Sequence, residues 1–271
     1  MHNTRISPES AARNLLRELK VKEVEDLWDI ELLAYYRNAL VRYAQLDGAE
    51  ARLSVVGRKA IITISDKTTN VHRKRFSVAH ELGHFEMHSL NDGVEFCTGR
   101  DIDTWDKGAQ SREQEANIFA SAFLMPRPFF EPLCNQEIPS LDLITHLSNH
   151  FRTSLTATAL RYVQFCSEPV AVIYSQNGRS QWFRCNQPFS ELGVYVETNV
   201  RLDDRTFAAR SSATGQYYSS GQVYASAWFA KGRYREDSKI VEHSWPLQFY
   251  DGVLTLLWIE DSLHDEENMF L

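Results

Sequence analysis

Helical periodicity dominates the first 50 residues of the chain. Apolar residues recur every three or four positions after Pro8, a residue that suits the first position of a helix, and Ser7 can cap that helix. Asp29 is a second candidate cap, and the apolar-periodic stretch after it extends to Leu40. The pattern therefore predicts helices within residues 7–50.

After residue 50, the apolar residues recur at every second position instead of every third or fourth. Apolar and polar residues alternate on both sides of Gly57, which predicts two strands joined by a hairpin within residues 51–65. Helical periodicity returns over residues 76–90 and 111–124, with a polar stretch between them. The second of these helices should end just before Pro126, because proline disfavours helical geometry in the residue that precedes it.

The pattern shifts once more after Cys166. Two further helices are predicted before it, at residues 139–149 and 154–166. After it, apolar and polar residues alternate, and Asn177-Gly178 and Asp251-Gly252 are strong hairpin signals. The polar residues 211–221 are interpreted as a mobile surface loop.

These patterns predict an α+β protein with two domains. We expect residues 1–166 to form a helical domain with a small antiparallel sheet, and residues 167–271 to form an antiparallel, β-rich domain. The second domain adds no obvious catalytic group, so we expect it to sense a signal or to recognise the substrate. The alternative is that it merely covers an apolar flank of the first domain.

The composition excludes several classes of protein. A net charge of −7 argues against binding nucleic acid through a broad basic face. The four cysteines form no Cys-x-x-Cys pair, so we expect reduced thiols. Because there is no apolar run long enough to span a membrane and no signal-peptide pattern, we expect a cytoplasmic protein without membrane contact.

The sharpest chemical signal is the sequence HELGH at residues 80–84. His80 and His84 are four residues apart on a predicted helix, so they share one face and can bind one metal ion. Glu81 lies beside that face, where a carboxylate can accept a proton from water that the ion activates. Glycine is about 1 kcal/mol less favourable than alanine in a helix interior. The presence of Gly83 therefore indicates that another group approaches the helix closely at this position.

Glu113 is the candidate third ligand, because it shares a face with two alanines that would allow its helix to pack close to the first one. Two alternatives stay open. His88 lies one turn further along the first helix, although a straight helix carries it away from the ion. Glu115 points about 160° away from Glu113 on the helical wheel, and we interpret it as a solvated carboxylate. Arg75 is interpreted as a residue beside the cleft that could contact substrate.

Two sequence blocks resemble the ImmA/IrrE family of metallopeptidases. Residues 74–88 resemble the family pattern RFTxAHELGHxxxH, and residues 113–126 resemble ExxANxFAxxLLMP. Ser77 stands where threonine is commoner, and Phe123 stands where leucine is commoner. The resemblance covers residues 30–165, and it places Glu113 at the family's metal-ligand position. Residues 167–271 match no family by pattern, although some relatives carry a GAF-like sensor region after the protease.

The resemblance implies a minimal zincin-like fold and a zinc-dependent endopeptidase. His80, His84 and Glu113 would hold Zn²⁺, with Mn²⁺ as the alternative metal, and Glu81 would act as the general base. Relatives typically cleave a helix-turn-helix transcriptional repressor during stress or mobile-element induction, so the expected partner is a DNA-binding protein. The alternative hypothesis is a non-catalytic metal-binding sensor or a toxin-like interaction module.

Overall fold

The computed structural model describes residues 6–88, 93–97, 111–214, 219–232, 234–235, 237–247 and 252–260. The chain divides into two compact units, one of residues 1–130 with 148–154 and the other of residues 131–147 with 155–271. The α+β class is confirmed, because helices dominate the first part of the chain and strands dominate the last part. The domain boundary after residue 166 stays a prediction.

The N-terminal helices form where capping residues and apolar periodicity coincide. The helices are α1 (Pro8–Glu18), a 3-10 turn (Val24–Leu27), α2 (Ile30–Tyr36), α3 (Val71–Met87) and α4 (Arg112–Leu124). Both predicted caps are confirmed, since Ser7 accepts a hydrogen bond from the backbone N–H of Ser10 and Asp29 accepts one from that of Leu32. Helix α4 ends before Pro126, as expected.

A mixed sheet supports these helices. Its strands are β1 (Ala39–Ala44), β2 (Ala51–Val56), β3 (Lys59–Ser65) and β4 (Gly93–Cys97), in the order β1-β3-β2-β4. Strand β1 runs parallel to β3, and the other neighbouring pairs are antiparallel. The prediction of helix through Leu40 and onward to residue 50 was therefore wrong for β1. Asn38 adopts a φ of 61° just after α2, and this left-handed residue ends the helix and turns the chain into the strand.

Helices α3 and α4 lie in the core of the first unit. Every residue from Ser77 to His84 is buried, so α3 presents no polar face to solvent there. Close packing of the two helices depends on Gly83. A Cβ atom at this position would lie 2.9 Å from the ring of Phe119 in α4, which explains why a glycine occupies this position inside the helix.

The second unit contains a five-stranded antiparallel sheet in the order β6-β5-β11-β10-β8. The strands are β5 (Val170–Gln176), β6 (Arg179–Cys185), β8 (Ser219–Tyr224), β10 (Lys239–Leu247) and β11 (Gly252–Trp258), and a separate pair consists of β7 (Tyr195–Val196) and β9 (Phe229–Lys231). The hairpin at Asn177-Gly178 is confirmed, with positive φ at both residues. Asp251 lies outside the described residues.

The remaining helices are α5 (Arg127–Cys134), α6 (Leu141–Phe151), α7 (Leu155–Phe165), α8 (Gln187–Glu191) and α9 (Phe207–Thr214). The interpretation of residues 211–221 as a loop was wrong, because α9 and β8 occupy their described parts. The buried carboxylate of Glu242 stabilises the start of α9. It accepts a hydrogen bond from the backbone N–H of Ala208, in the first turn of that helix. Among the described residues, no helix has the length and apolar character needed to cross a membrane.

Candidate metal centre

Three side chains from two helices converge on one point in the first unit. His80 and His84 lie one turn apart on α3, and Glu113 lies in the first turn of α4. Both imidazoles are fully buried, whereas 26% of the Glu113 side chain is exposed. The two helices therefore bring two nitrogen ligand atoms and one carboxylate oxygen together. Of the three side chains, Glu113 is the one that is partly exposed to solvent.

The distances within this group suit a tetrahedral metal ion. The Nε2 atoms of His80 and His84 are 3.1 Å apart, and Oε2 of Glu113 lies 3.1 Å from the first and 3.4 Å from the second. A zinc ion with ligands at about 2.0–2.1 Å in a tetrahedron separates neighbouring ligand atoms by about 3.3 Å. The three observed distances are close to that value.

The hydrogen bond from His80 to Asn117 determines which ring nitrogen can bind the ion. Nδ1 of His80 lies 2.9 Å from Oδ1 of Asn117, so Nδ1 carries the proton and donates it to the amide oxygen. The Nε2 lone pair of His80 then faces Glu113. Asn117 was not predicted as part of the site, although a polar residue one turn after Glu113 within an apolar helix was a usable signal.

Electrostatics favour the protonation states that metal binding requires. Burial lowers the pKa of His80, which keeps the ring neutral near pH 7. Burial alone would raise the pKa of Glu113, but its contacts with the imidazoles of His80 and His84 outweigh this effect and hold the pKa well below its usual range. The imidazole of His80 and the carboxylate of Glu113 are therefore held in the protonation states in which they bind zinc.

Glu81 occupies the position next to His80 on α3 and is fully buried. The structure thus keeps the candidate base on the same helix as the two histidines. This carboxylate does not belong to the three-residue cluster, which among the described residues consists of His80, His84 and Glu113. The arrangement separates a candidate base from the candidate ligands, as the sequence predicts.

The two alternative ligands lie beside the cluster and bind each other. Nε2 of His88 is 2.9 Å from Oε2 of Glu115, and Nδ1 of His88 is 2.9 Å from Nδ1 of His84. Burial, the largest influence, lowers the pKa of His88. The interpretation of Glu115 as solvated was wrong, because only 13% of its side chain is exposed.

Arg75 does not face a cleft, and this interpretation was also wrong. Its guanidinium donates hydrogen bonds to the backbone oxygens of Leu27, Trp28 and Arg152 at 3.0, 2.6 and 3.1 Å. Burial lowers its pKa to about 10, so the side chain is still charged at pH 7. Arg75 therefore ties the start of α3 to two other segments of the first unit and is not placed to contact substrate.

Comparison with known proteins agrees with this geometry. Residues 34–162 match the family model of the IrrE N-terminal-like domain of peptidase family M78. This match, which covers a little under half of the chain, supports membership of the ImmA/IrrE family. No curated protein matches the chain. The matched segment includes α3, α4 and the three clustered residues, and family membership supports a metallopeptidase-type function.

A solved structure has a similar fold. A Mycobacterium tuberculosis transcriptional regulator superposes with a TM-score of 0.55 and 15% sequence identity. The alignment covers 96% of this chain and 77% of that chain. At this level of identity the likeness shows the fold alone.

Proposed function

We propose that this ImmA/IrrE-family protein is a zinc-dependent endopeptidase that cleaves a helix-turn-helix transcriptional repressor, in stress response or in the regulation of a mobile element. The observation that carries the proposal is the convergence of His80, His84 and Glu113, with Glu81 beside them on the same helix. The described residues offer three clustered protein donors, and catalytic zinc sites typically have three such ligands and one open position.

The roles of the residues follow from their chemistry. His80, His84 and Glu113 would hold the ion, with Mn²⁺ as the alternative to Zn²⁺. A bound ion would act as a Lewis acid on water and on the carbonyl of the scissile peptide bond. Glu81 would accept the proton of the attacking water and return it to the amine that leaves. Both imidazoles are fully buried, so the ion would be shielded from solvent on the side of the two histidines.

The substrate is proposed from the family. The resemblance to the ImmA/IrrE family implies a DNA-binding regulator as the substrate. The similar solved structure is itself described as a transcriptional regulator. The proposed role places the enzyme in the same compartment as its repressor, the cytoplasm. The net charge of −7 fits a protein that acts on the repressor without binding nucleic acid itself.

The test is Glu81→Gln. The amide preserves the shape of the side chain but cannot accept the proton, so we expect normal zinc content and loss of cleavage. Purified wild-type protein, the variant and the exposed-site control Glu25→Gln are each loaded with zinc. Each is then incubated with purified helix-turn-helix regulators from the same genome, beginning with any that is encoded next to this gene. Fragments are then detected by mass spectrometry, and cleavage by Glu81→Gln at the wild-type rate would show that Glu81 is not the base.

The same experiment separates the enzyme from the alternative hypothesis. A metal-binding sensor or toxin-like module would bind zinc in stoichiometric amount and would produce no fragments, even as the wild-type protein. Metal analysis of protein purified without added metal distinguishes zinc from manganese. Loss of cleavage in Glu81→Gln together with activity in Glu25→Gln would establish the peptidase.

A further inference from the structure

A hydrogen-bond chain extends from the candidate metal site to a carboxylate that is not one of its ligands. Glu115, His88 and His84 are joined in series by two contacts of 2.9 Å. His88 is the residue that follows the last turn of α3, and only 1% of its side chain is exposed. This series of hydrogen bonds therefore lies inside the protein and links the first turn of α4 to the end of α3.

The donors and acceptors in this chain can be assigned in order. Nε2 of His88 lies 2.9 Å from a carboxylate oxygen of Glu115, which is the acceptor of the pair, so Nε2 of His88 carries the proton that faces Glu115. A neutral imidazole has one N–H, which leaves Nδ1 of His88 as an acceptor. Nδ1 of His84 is 2.9 Å from that acceptor and must donate to it. The Nε2 atom of His84 is then left with its lone pair, directed at His80 and Glu113.

We propose that Glu115 and His88 are positioning residues that hold His84 in the tautomer and ring orientation needed to bind the metal. This inference rests on the proposed zinc site and adds two residues to it. The carboxylate acts on His84 through the imidazole of His88 and does not contact the ion. Such support raises the basicity of a histidine ligand and fixes its orientation.

The two histidine ligands are supported in different ways. His80 donates its Nδ1 proton to a neutral amide, that of Asn117, over 2.9 Å. His84 donates its Nδ1 proton to a second imidazole that is itself bound by a carboxylate. Changes at Glu115 or His88 should therefore act on His84 and leave the Asn117 contact of His80 in place.

The test compares two substitutions of similar shape at His88. Leucine cannot accept a hydrogen bond, whereas the side-chain oxygen of asparagine can occupy the place of Nδ1 and accept the proton from His84. We expect His88→Leu to weaken zinc binding by roughly 10–100-fold, and His88→Asn to recover most of that loss. His146→Leu is the matched control, because His146 is exposed and lies in the second unit.

Zinc affinity is measured by competition with a chromophoric chelator, on protein whose folding is verified by circular dichroism. Equal affinity of His88→Leu and the wild type would overturn the proposal, and so would equal loss in His88→Leu and His88→Asn, which would indicate packing alone. If the wild-type protein binds no zinc, the proposed function itself fails. If the wild type binds zinc and His88→Leu binds it equally well, only the positioning role fails.

A second measurement does not depend on a variant at His88. Nitrogen-15 NMR of the histidine rings in the zinc-loaded wild type should show protons on Nδ1 of His84 and on Nε2 of His88. A proton on Nδ1 of His88, with none on its Nε2, would overturn the assignment. Glu115→Ala should weaken zinc binding more than Glu115→Gln, whose amide oxygen can still accept the proton of His88, and the reverse order would contradict the role of Glu115.

Discussion

Gly83→Ala should weaken the metal centre even though alanine is the better helix former. A Cβ atom on residue 83 would lie 2.9, 3.1 and 3.2 Å from three carbon atoms of Phe119. Carbon atoms in contact prefer separations of about 3.5–4.0 Å. Phe119 is fully buried in α4, so its ring cannot turn away into solvent and the added methyl group must push α4 away from α3.

Two opposing contributions set the size of the stability change. Replacing glycine by alanine in a helix interior gains about 1 kcal/mol, and overpacking a close-packed core costs about 1–3 kcal/mol. The free energy of unfolding should therefore fall by between zero and about 2 kcal/mol. Zinc binding should respond more clearly, because Glu113 belongs to the displaced helix and the two histidines belong to the other. We expect a loss of roughly tenfold in zinc affinity.

Urea denaturation gives the change in stability, and chelator competition gives the change in zinc affinity. Phe119→Ala provides the matched background, because it removes the Cδ1 and Cγ atoms at 2.9 and 3.1 Å from the added methyl group and leaves only Cβ, at 3.2 Å. In that background, Gly83→Ala should raise stability by the helix-propensity gain and leave zinc affinity unchanged. The reasoning is refuted if Gly83→Ala alone is about 1 kcal/mol more stable than the wild type and binds zinc normally, since α3 and α4 would then not be in the contact described.

Two further predictions concern Glu113 and Arg75. Glu113→Ala should lower zinc affinity by more than Glu115→Ala does, because it removes a proposed ligand rather than its support, and full zinc occupancy in dialysed Glu113→Ala protein would exclude that carboxylate as a ligand. Arg75→Met should lower the free energy of unfolding by about 3 kcal/mol or more, because three backbone oxygens lose their donor. Urea denaturation beside Arg58→Met, at an exposed turn, measures the second effect, and equal stability of the two variants would contradict the role of Arg75.

The proposed ligands could be predicted because helix geometry is nearly independent of the rest of the fold. A spacing of four residues places His80 and His84 on one face of any α-helix, and the structure brings their Nε2 atoms within 3.1 Å. Glu113 followed from the same argument, since the small residues on its face indicate a helix that packs closely against another. Neither inference required knowledge of the strands.

Strand β1 could not be predicted in this way because its sequence does not decide between helix and strand. Residues 39–44 read Ala-Leu-Val-Arg-Tyr-Ala, and the apolar positions continue the spacing of the helix before them. The parallel pairing with β3, which aligns Leu40 with Ile61, decides the conformation. That partner lies some 20 residues away in the chain, and a local pattern carries no information about it.

Glu115 shows the limit of the angular argument, which places Glu113 near the two histidines, as the structure does, but does not identify the partner of Glu115. The helical wheel correctly directed Glu115 away from the point where Glu113 meets the histidines, but a direction away from one site is not a direction toward solvent. Helix α4 is buried on nearly all sides from Ala116 onward, and α3 is buried in the same way. Only 13% of the Glu115 side chain is exposed, so a carboxylate there that does not reach the proposed metal site needs another partner, and His88 at the end of α3 supplies it. An acidic residue on a helix that is apolar all round should therefore be examined for a buried partner before it is assigned to the surface.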